Sequence, residues 1–480
     1  MRKPRLTIGL LSILNVAQST LTTFLIAGAV VLGGLWVVRG LFTGRDWPQP
    51  LCSHRLRLRP MREGPTHTPA KYTRSLYREP VSVARMSNVS LPLLWLSGPT
   101  GVGKSTVGWE VFEQLSRGGV KTAFVDADQI SLCHPMPEAM THRIRARSLA
   151  AMWPNFRQEG VRCLILAGFV DTAEEVREYT ALLPEAAFTV CRLRVDDAEL
   201  KERFLARGWR PDLVEDAVAE AKALDRSDYA DVCVDTGGFT VSETARLICD
   251  RAGGWPGTLQ RFVDRQSHPP TPQEDAAPTS VPVPVLWLCG ATAVGKSTVG
   301  YEIFMQVYRS GVRAAYVDVK QIGALRPVAD DDVDNHGLKA RNLAAIWAGY
   351  RSAGAQCLVV SGEADSDDIV RDYAELLPGA ALTVCRLHAG PATLAERVAQ
   401  RGGGGGPTIP GDELRGLGSD VLHRVAERAA REAKALDHAG AGHLRIDTDG
   451  RSVKEVAADV RVRSGNWPCQ LQERPKIGFS

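Results

Sequence analysis

The nine residues GPTGVGKST, Gly98 to Thr106, return 192 positions later as GATAVGKST, Gly290 to Thr298. The likeness runs well beyond the loops. PLLWLSGPTGVGKSTVGWEVF pairs with PVLWLCGATAVGKSTVGYEIF, AFVDADQI with AYVDVKQI, RARSLAAMWPNFRQEGVRCLILAG with LKARNLAAIWAGYRSAGAQCLVVSG, and YTALLPEAAFTVCRL with YAELLPGAALTVCRL. GGWP and GNWP close the copies. A period this long marks a duplicated domain and not a solenoid. Any fold for this chain must therefore be built twice, once over residues 91–257 and again over 284–468. The stretch between, 258–283, is rich in Pro, Ser, Thr and Ala and reads as a connector.

Within each copy, short apolar runs alternate with longer amphipathic ones. LLWLSG, KTAFVDAD, RCLILAG, FTVCRL and DVCVDTG read as strands, several apolar throughout, as strands covered on both faces are. TVGWEVFEQL has helical spacing, with Val107, Val111 and Leu115 on one side. The expectation is an α/β chain of two tandem domains, each a parallel five-stranded sheet with helices on both faces.

The repeated loop fits G-x-x-x-x-G-K-[ST] between a strand and a helix. Such a loop wraps closely around a phosphate chain, with main-chain amides pointing inward and the positive end of the helix behind them. The nucleotide-binding candidates are Gly98, Pro99, Thr100, Gly101, Val102, Gly103, Lys104, Ser105 and Thr106. In the second copy they are Gly290, Ala291, Thr292, Ala293, Val294, Gly295, Lys296, Ser297 and Thr298. The lysine would reach the outer phosphates of ATP, and the serine hydroxyl would ligate Mg2+. The second strand of copy one ends VDAD, placing Asp126 and Asp128 on one side of an extended chain beside the loop. Ser105 and Asp126, and Ser297 and Asp318, are the Mg2+ candidates. Asp128 is placed to take a proton from an attacking hydroxyl.

These features resemble the small P-loop kinases, the superfamily of adenylylsulfate, shikimate and gluconate kinases. The resemblance covers about 160 residues of each copy. It rests on the loop, the D-x-D strand end, the third strand ending LAG, the Arg-containing helix after the fourth strand, and the closing VDTGGFTVSETARLI. It implies catalytic roles for Lys104, Asp126 and Asp128, and for Arg203 and Arg207 of ERFLARG as lid cations around the transferring phosphoryl group. Arg143, Arg145 and Arg147 fall where adenylylsulfate kinases meet an anionic acceptor. The chain lacks the DGDN string of those enzymes, and Gly168 and Phe169 stand where a Walker B acid would.

Copy two keeps Asp318, but Lys320 replaces Asp128, and Glu363 replaces Phe169. Arg397 and Arg401 repeat the lid arginines, and GGGGGPTIPGDELRGLGSD lengthens the lid by about eighteen residues of mostly flexible chain. Both loops are expected to bind nucleotide, with copy one the catalyst. The expected activity is ATP-dependent phosphoryl transfer to a small hydroxylated or anionic metabolite. The alternative is a nucleotide-gated regulator that phosphorylates nothing.

Charge is distributed unevenly. Residues 1–85 hold 13 Lys and Arg against 3 acids, so the rest of the chain is net −7. An acidic pair of domains argues against nucleic acid as a partner. Residues 6–38 carry no charged side chain, and Thr22 to Val38 would span a bilayer as one helix, making 1–42 a membrane anchor with the domains on the cytoplasmic face. Residues 43–90 read as a basic, Pro-containing linker and 469–480 as a tail. The other reading of the N-terminus is a start at Met86. Ten cysteines recur in part at matched apolar positions, Cys163 with Cys357 and Cys191 with Cys385, and show no zinc spacing. His134, His142 and His336 are isolated, and Trp153 and Trp347 sit on a helical apolar face.

Overall fold

A computed structural model describes residues 90–136, 138–206, 211–257, 282–329, 332–363, 367–405, 411–412 and 414–468. The N-terminal stretch expected to cross a membrane, most of the connector and the C-terminal tail lie outside them. Among the described residues no helix is long and apolar enough to span a bilayer.

Copy one runs β1 (Leu91–Ser97), α1 (Lys104–Arg117), β2 (Thr122–Asp126), β3 (Cys133–His134), α2 (Glu138–Gln158), β4 (Cys163–Ala167), α3 (Ala173–Leu182), β5 (Ala186–Arg194), α4 (Asp197–Leu205), α5 (Val214–Leu224), β6 (Val232–Asp235) and α6 (Val241–Arg251). Copy two runs β7 (Val283–Cys289), α7 (Lys296–Arg309), β8 (Ala314–Asp318), β9 (Ala324–Arg326), α8 (His336–Ser352), β10 (Cys357–Ser361), α9 (Asp367–Glu375), β11 (Ala380–His388), α10 (Pro391–Gly402), α11 (Ser419–Ala439), β12 (Leu444–Asp447) and α12 (Val453–Arg463).

Sequence patterns explain these elements locally. The largely apolar β1, β4, β7 and β10 are buried along their whole length, as strands sandwiched between helix layers must be. In α1, Val107 and Val111 are buried, with Leu115 packed at the margin of the same cluster. The last helix of each copy opens on a reciprocal cap, Thr240 with Glu243 in α6 and Ser452 with Glu455 in α12.

The sheets are ordered β6-β5-β1-β4-β2-β9 and β12-β11-β7-β10-β8-β3. Five strands in each are parallel and come from one copy; the sixth is antiparallel and belongs to the other. β9 of copy two pairs with β2 through Thr122–Arg326, Ala123–Leu325 and Phe124–Ala324. β3 of copy one pairs with β8 through Cys133–Ala315 and His134–Ala314. The expectation of five strands per sheet is thus corrected to six. The exchanged strands are only two and three residues long, too short for any alternation to show in sequence. They cover sheet edges that would otherwise expose unpaired backbone groups.

One hydrophobic cluster runs through both copies, joining Trp95, Met152, Trp153 and Phe156 to Trp287, Leu343, Ile346 and Trp347. Helix α2 packs on α8 across this interface. Polar contacts fix their register: Asn155 Nδ2 donates to Asn342 Oδ1 at 2.9 Å, Arg341 pairs with Glu159 at 2.5 Å, and Arg313 Nε donates to the Pro135 carbonyl at 3.0 Å. Arg326 also pairs with Glu113. Trp153 and Trp347 serve this shared core, as their helical spacing implied.

Candidate active site

Both loops sit at the carboxyl ends of central strands, the place where open α/β sheets bind ligands. Gly98 has φ 139°, and a side chain there would bring its Cβ within 2.4 Å of the Leu193 carbonyl oxygen, so only glycine lets the loop turn this close to β5. Gly290 repeats the geometry against Leu387. The loops differ at the next bend: Gly101 has φ 100°, whereas copy two holds Ala293 there at φ 62°. A left-handed alanine costs about 1–2 kcal/mol. The second loop therefore carries strain that the first avoids.

Lys104 Nζ donates to the carbonyls of Gly98 at 2.8 Å and Pro99 at 3.1 Å. Lys296 does the same to Gly290 and Ala291 at 2.9 and 3.2 Å. Ser105 Oγ donates to Asp126 Oδ2 at 2.7 Å, and Ser297 Oγ to Asp318 Oδ2 at 2.6 Å. In each copy a hydroxyl and a carboxylate, the hard oxygen donors Mg2+ prefers, thus meet at the start of the helix behind the loop. Burial, reinforced by Asp128, pushes the Asp126 carboxyl up to about 6. Burial also raises Asp318.

Asp128 stands two residues beyond Asp126, and its amide donates to Asp126 Oδ1 at 2.9 Å. Its own carboxylate is half-exposed and pairs with Arg145 at 2.5 Å. Of the three arginines expected near an acceptor, the structure brings in Arg145 alone. Arg143 pairs with Glu178 at 3.6 Å on the surface, and Arg147 is exposed. The helix explains the difference: at 100° per residue, positions 143 and 147 share a face that 145 opposes.

Arg203 lies closer to the loop's backbone than a lid cation needs to be. Its guanidinium donates to the Val102 carbonyl at 3.2 Å and to Thr236 Oγ1 and O at 2.8 and 3.0 Å, and it pairs with Glu199 at 2.5 Å. Arg397 repeats the brace onto Val294 and Thr448. Arg207 lies outside the described residues. In copy two, Arg401 pairs with Asp412 of the inserted lid at 2.7 Å. Helix α11 has 21 residues where α5 has 11, and only its first two, Ser419 and Asp420, belong to that stretch.

Sequence reasoning missed two groups. Glu220 of α5 accepts from the Thr100 amide at 2.8 Å, and Glu432 of α11 accepts from the Thr292 amide at 2.9 Å. A shared signal was present, since EAKALD occurs in both copies. Burial raises the Glu220 carboxyl, while Lys104 nearby pulls it down. Glu175 is the second. Burial and the Asp171 charge push it up to about 7, and His142 Nδ1 lies 3.4 Å from it. Among the described residues the Tyr179 hydroxyl and His142 Nε2 are buried without a hydrogen-bond partner. Arg145 lies near both groups, and Asp128 near Tyr179.

No family model matches the chain, and no curated protein does. Solved structures similar to it include a tunicamycin resistance protein from Deinococcus radiodurans, at 16% identity and TM-score 0.26, over 34% of this chain and 96% of that one. An APS kinase from Mycobacterium tuberculosis matches at 15% and 0.26, over 34% and 98%. A shikimate kinase from Acinetobacter baumannii matches at 16% and 0.27, over 39% and 96%. Likenesses this low carry no functional inference.

Proposed function

We propose that the chain is an ATP-dependent phosphotransferase of small molecules in which copy one does the chemistry and copy two binds nucleotide. The observation that supports this reading is the run from Lys104 and Ser105 through Asp126 to the Asp128–Arg145 pair, which sets a phosphate cradle beside a half-exposed carboxylate. Ser105 and Asp126 would hold Mg2+, which supplies charge neutralisation on the outer phosphates. Ser297 and Asp318 would do so in copy two.

In this reading the loop amides and Lys104 orient the triphosphate. The acceptor's hydroxyl oxygen attacks the terminal phosphorus, the bond to the bridging oxygen breaks, and ADP leaves. Asp128 orients the acceptor hydroxyl and takes its proton. Arg145 holds Asp128 in place. Arg203 keeps the loop in shape, and Arg207 is the lid cation that meets charge in flight. The domains work where ATP is, in the cytoplasm.

The test is ADP release by the full chain with and without a panel of hydroxylated and anionic metabolites. Strong stimulation by one compound, lost in Asp128→Asn, supports transfer. Tight ATP binding with no stimulation by any compound favours the alternative, a nucleotide-gated regulator, to which the strand exchange between copies is equally suited.

A further inference from the structure

Four positions around the acceptor side read Asp128, Arg145, Phe169 and Glu175 in copy one, a net charge of −1. Their counterparts Lys320, Lys339, Glu363 and Ile369 in copy two carry +1. The flanking sheet registers match, with Asp126 beside Ala167 and Asp318 beside Ser361, so the exchange falls on equivalent places. We propose that copy two holds a phosphate-type oxyanion between Lys320 and Lys339 beside its nucleotide loop, as a binding site that transfers nothing.

Lys339 carries the argument. It is 7% exposed, yet among the described residues its ammonium makes no hydrogen bond and no ion pair within 4 Å. A lysine buried this far is costly unless anions compensate it. Burial lowers its proton affinity, although Glu363 and Asp334 act against that. Its path is also built. The stem crosses Gly323 so closely that a Cβ there would lie 2.3 Å from Lys339 Cγ. Copy one has Ser131 at that place, and its hydroxyl lies 3.5 Å from Arg145 Nε. Gly323 has φ −135°, a value open to any residue, so it is needed for room and not for its backbone.

The surrounding charges point the same way. Burial would raise Glu363, yet Lys296, Lys320 and Lys339, with His336, together hold it below the ordinary carboxylate range. Asp318 also faces these lysines and Asp334 faces Lys339, so what sets copy two apart is the added lysines at 320 and 339 in place of Asp128 and Arg145. His336 Nδ1 meets the Tyr373 hydroxyl at 3.1 Å, where copy one leaves the matching Tyr179 hydroxyl unpartnered. Lys320 is exposed at the rim and gives an anion a way in. With lysine in place of Asp128, nothing at this position can accept an acceptor's proton. Compact ammonium groups are well suited to phosphate as point charges.

Titrating the full chain with inorganic phosphate by calorimetry, with both loops saturated with MgADP, tests this. A site is expected whose affinity falls at least tenfold in Lys339→Met and in Lys320→Asp, while Lys104→Ala leaves it unchanged. Lys320→Asp changes a surface residue, so its result stands even if Lys339→Met fails to fold. Phosphate binding that follows Lys104 and ignores Lys320 would overturn the proposal, as would binding equal in wild type and Lys320→Asp. Glycerol 3-phosphate in place of phosphate identifies the source: a tighter fit means a phosphate monoester, an equal one the free ion. Neither arm depends on turnover in copy one.

Discussion

The Thr100 amide donates to the Glu220 carboxylate at 2.8 Å, across 120 residues of chain. Thr292 and Glu432 make the same contact in copy two. Each carboxylate engages an amide of a loop whose amides serve phosphate oxygens, close to the loop's lysine. A like charge at such range works against a triphosphate by about 1 kcal/mol or more. Glu220→Ala should therefore tighten ATP at copy one by about five- to tenfold, since about 1.4 kcal/mol is tenfold in affinity. Calorimetry in a Lys296→Ala background reads this site alone. Weaker binding in Glu220→Ala would make the acid part of the ATP site instead.

The two lysines should differ in consequence. Lys104→Ala should lower acceptor-stimulated ADP release by about 10²–10³-fold, the scale of losing one charge-stabilising donor. Lys296→Ala should change it by less than about threefold. Steady-state rates of the two variants decide, and equal losses would mean that both copies turn over.

Asp126 predicts a pH dependence of stability. Its proton is held up to about pH 6 in the folded chain, against 3.8 when unfolded. The folded state thus binds the extra proton between these values, and stability falls as pH rises through them. Above the window the deficit is on the order of 3 kcal/mol, with burial the main cause. Asp126→Asn should be more stable than wild type at pH 7.5 by about 1–3 kcal/mol and equal to it near pH 4. Denaturant melts without Mg2+ at the two pH values measure this; an advantage that persists at pH 4 would mean a different cause.

The shared core predicts joint unfolding. Trp347→Ala should cost about 3–5 kcal/mol, the usual penalty for emptying a large aromatic site, and should lower the stability of both copies together. Scanning calorimetry of the full chain should show one transition before and after the change. Two separated transitions in the wild type would contradict the common core.

The repeated strands and helices were legible because burial on both faces and the 3.6-residue period leave strong patterns in β1, β4 and α1. The cradle was legible because few residues besides glycine tolerate the turn at position 98. Contacts between copies were not. β3 and β9 are held by partners more than a hundred residues away, and nothing local in Cys133 and His134 marks a strand. Arg143 and Arg147 could have been set apart from Arg145 by helical period alone. Glu220 was hidden because an exposed-looking acid on an amphipathic helix gives no hint of what it faces, except that its counterpart recurs.

The exchanged strands also bear on how a duplicated chain ages. A spare copy is usually free to decay, but here the outermost rung of each twin's ladder is lent by its sibling. Losing either half would leave the survivor with a bare, adhesive border. Copy two is therefore obliged to keep its shape even where its chemistry has been rewritten, which gives a second vocation somewhere to settle.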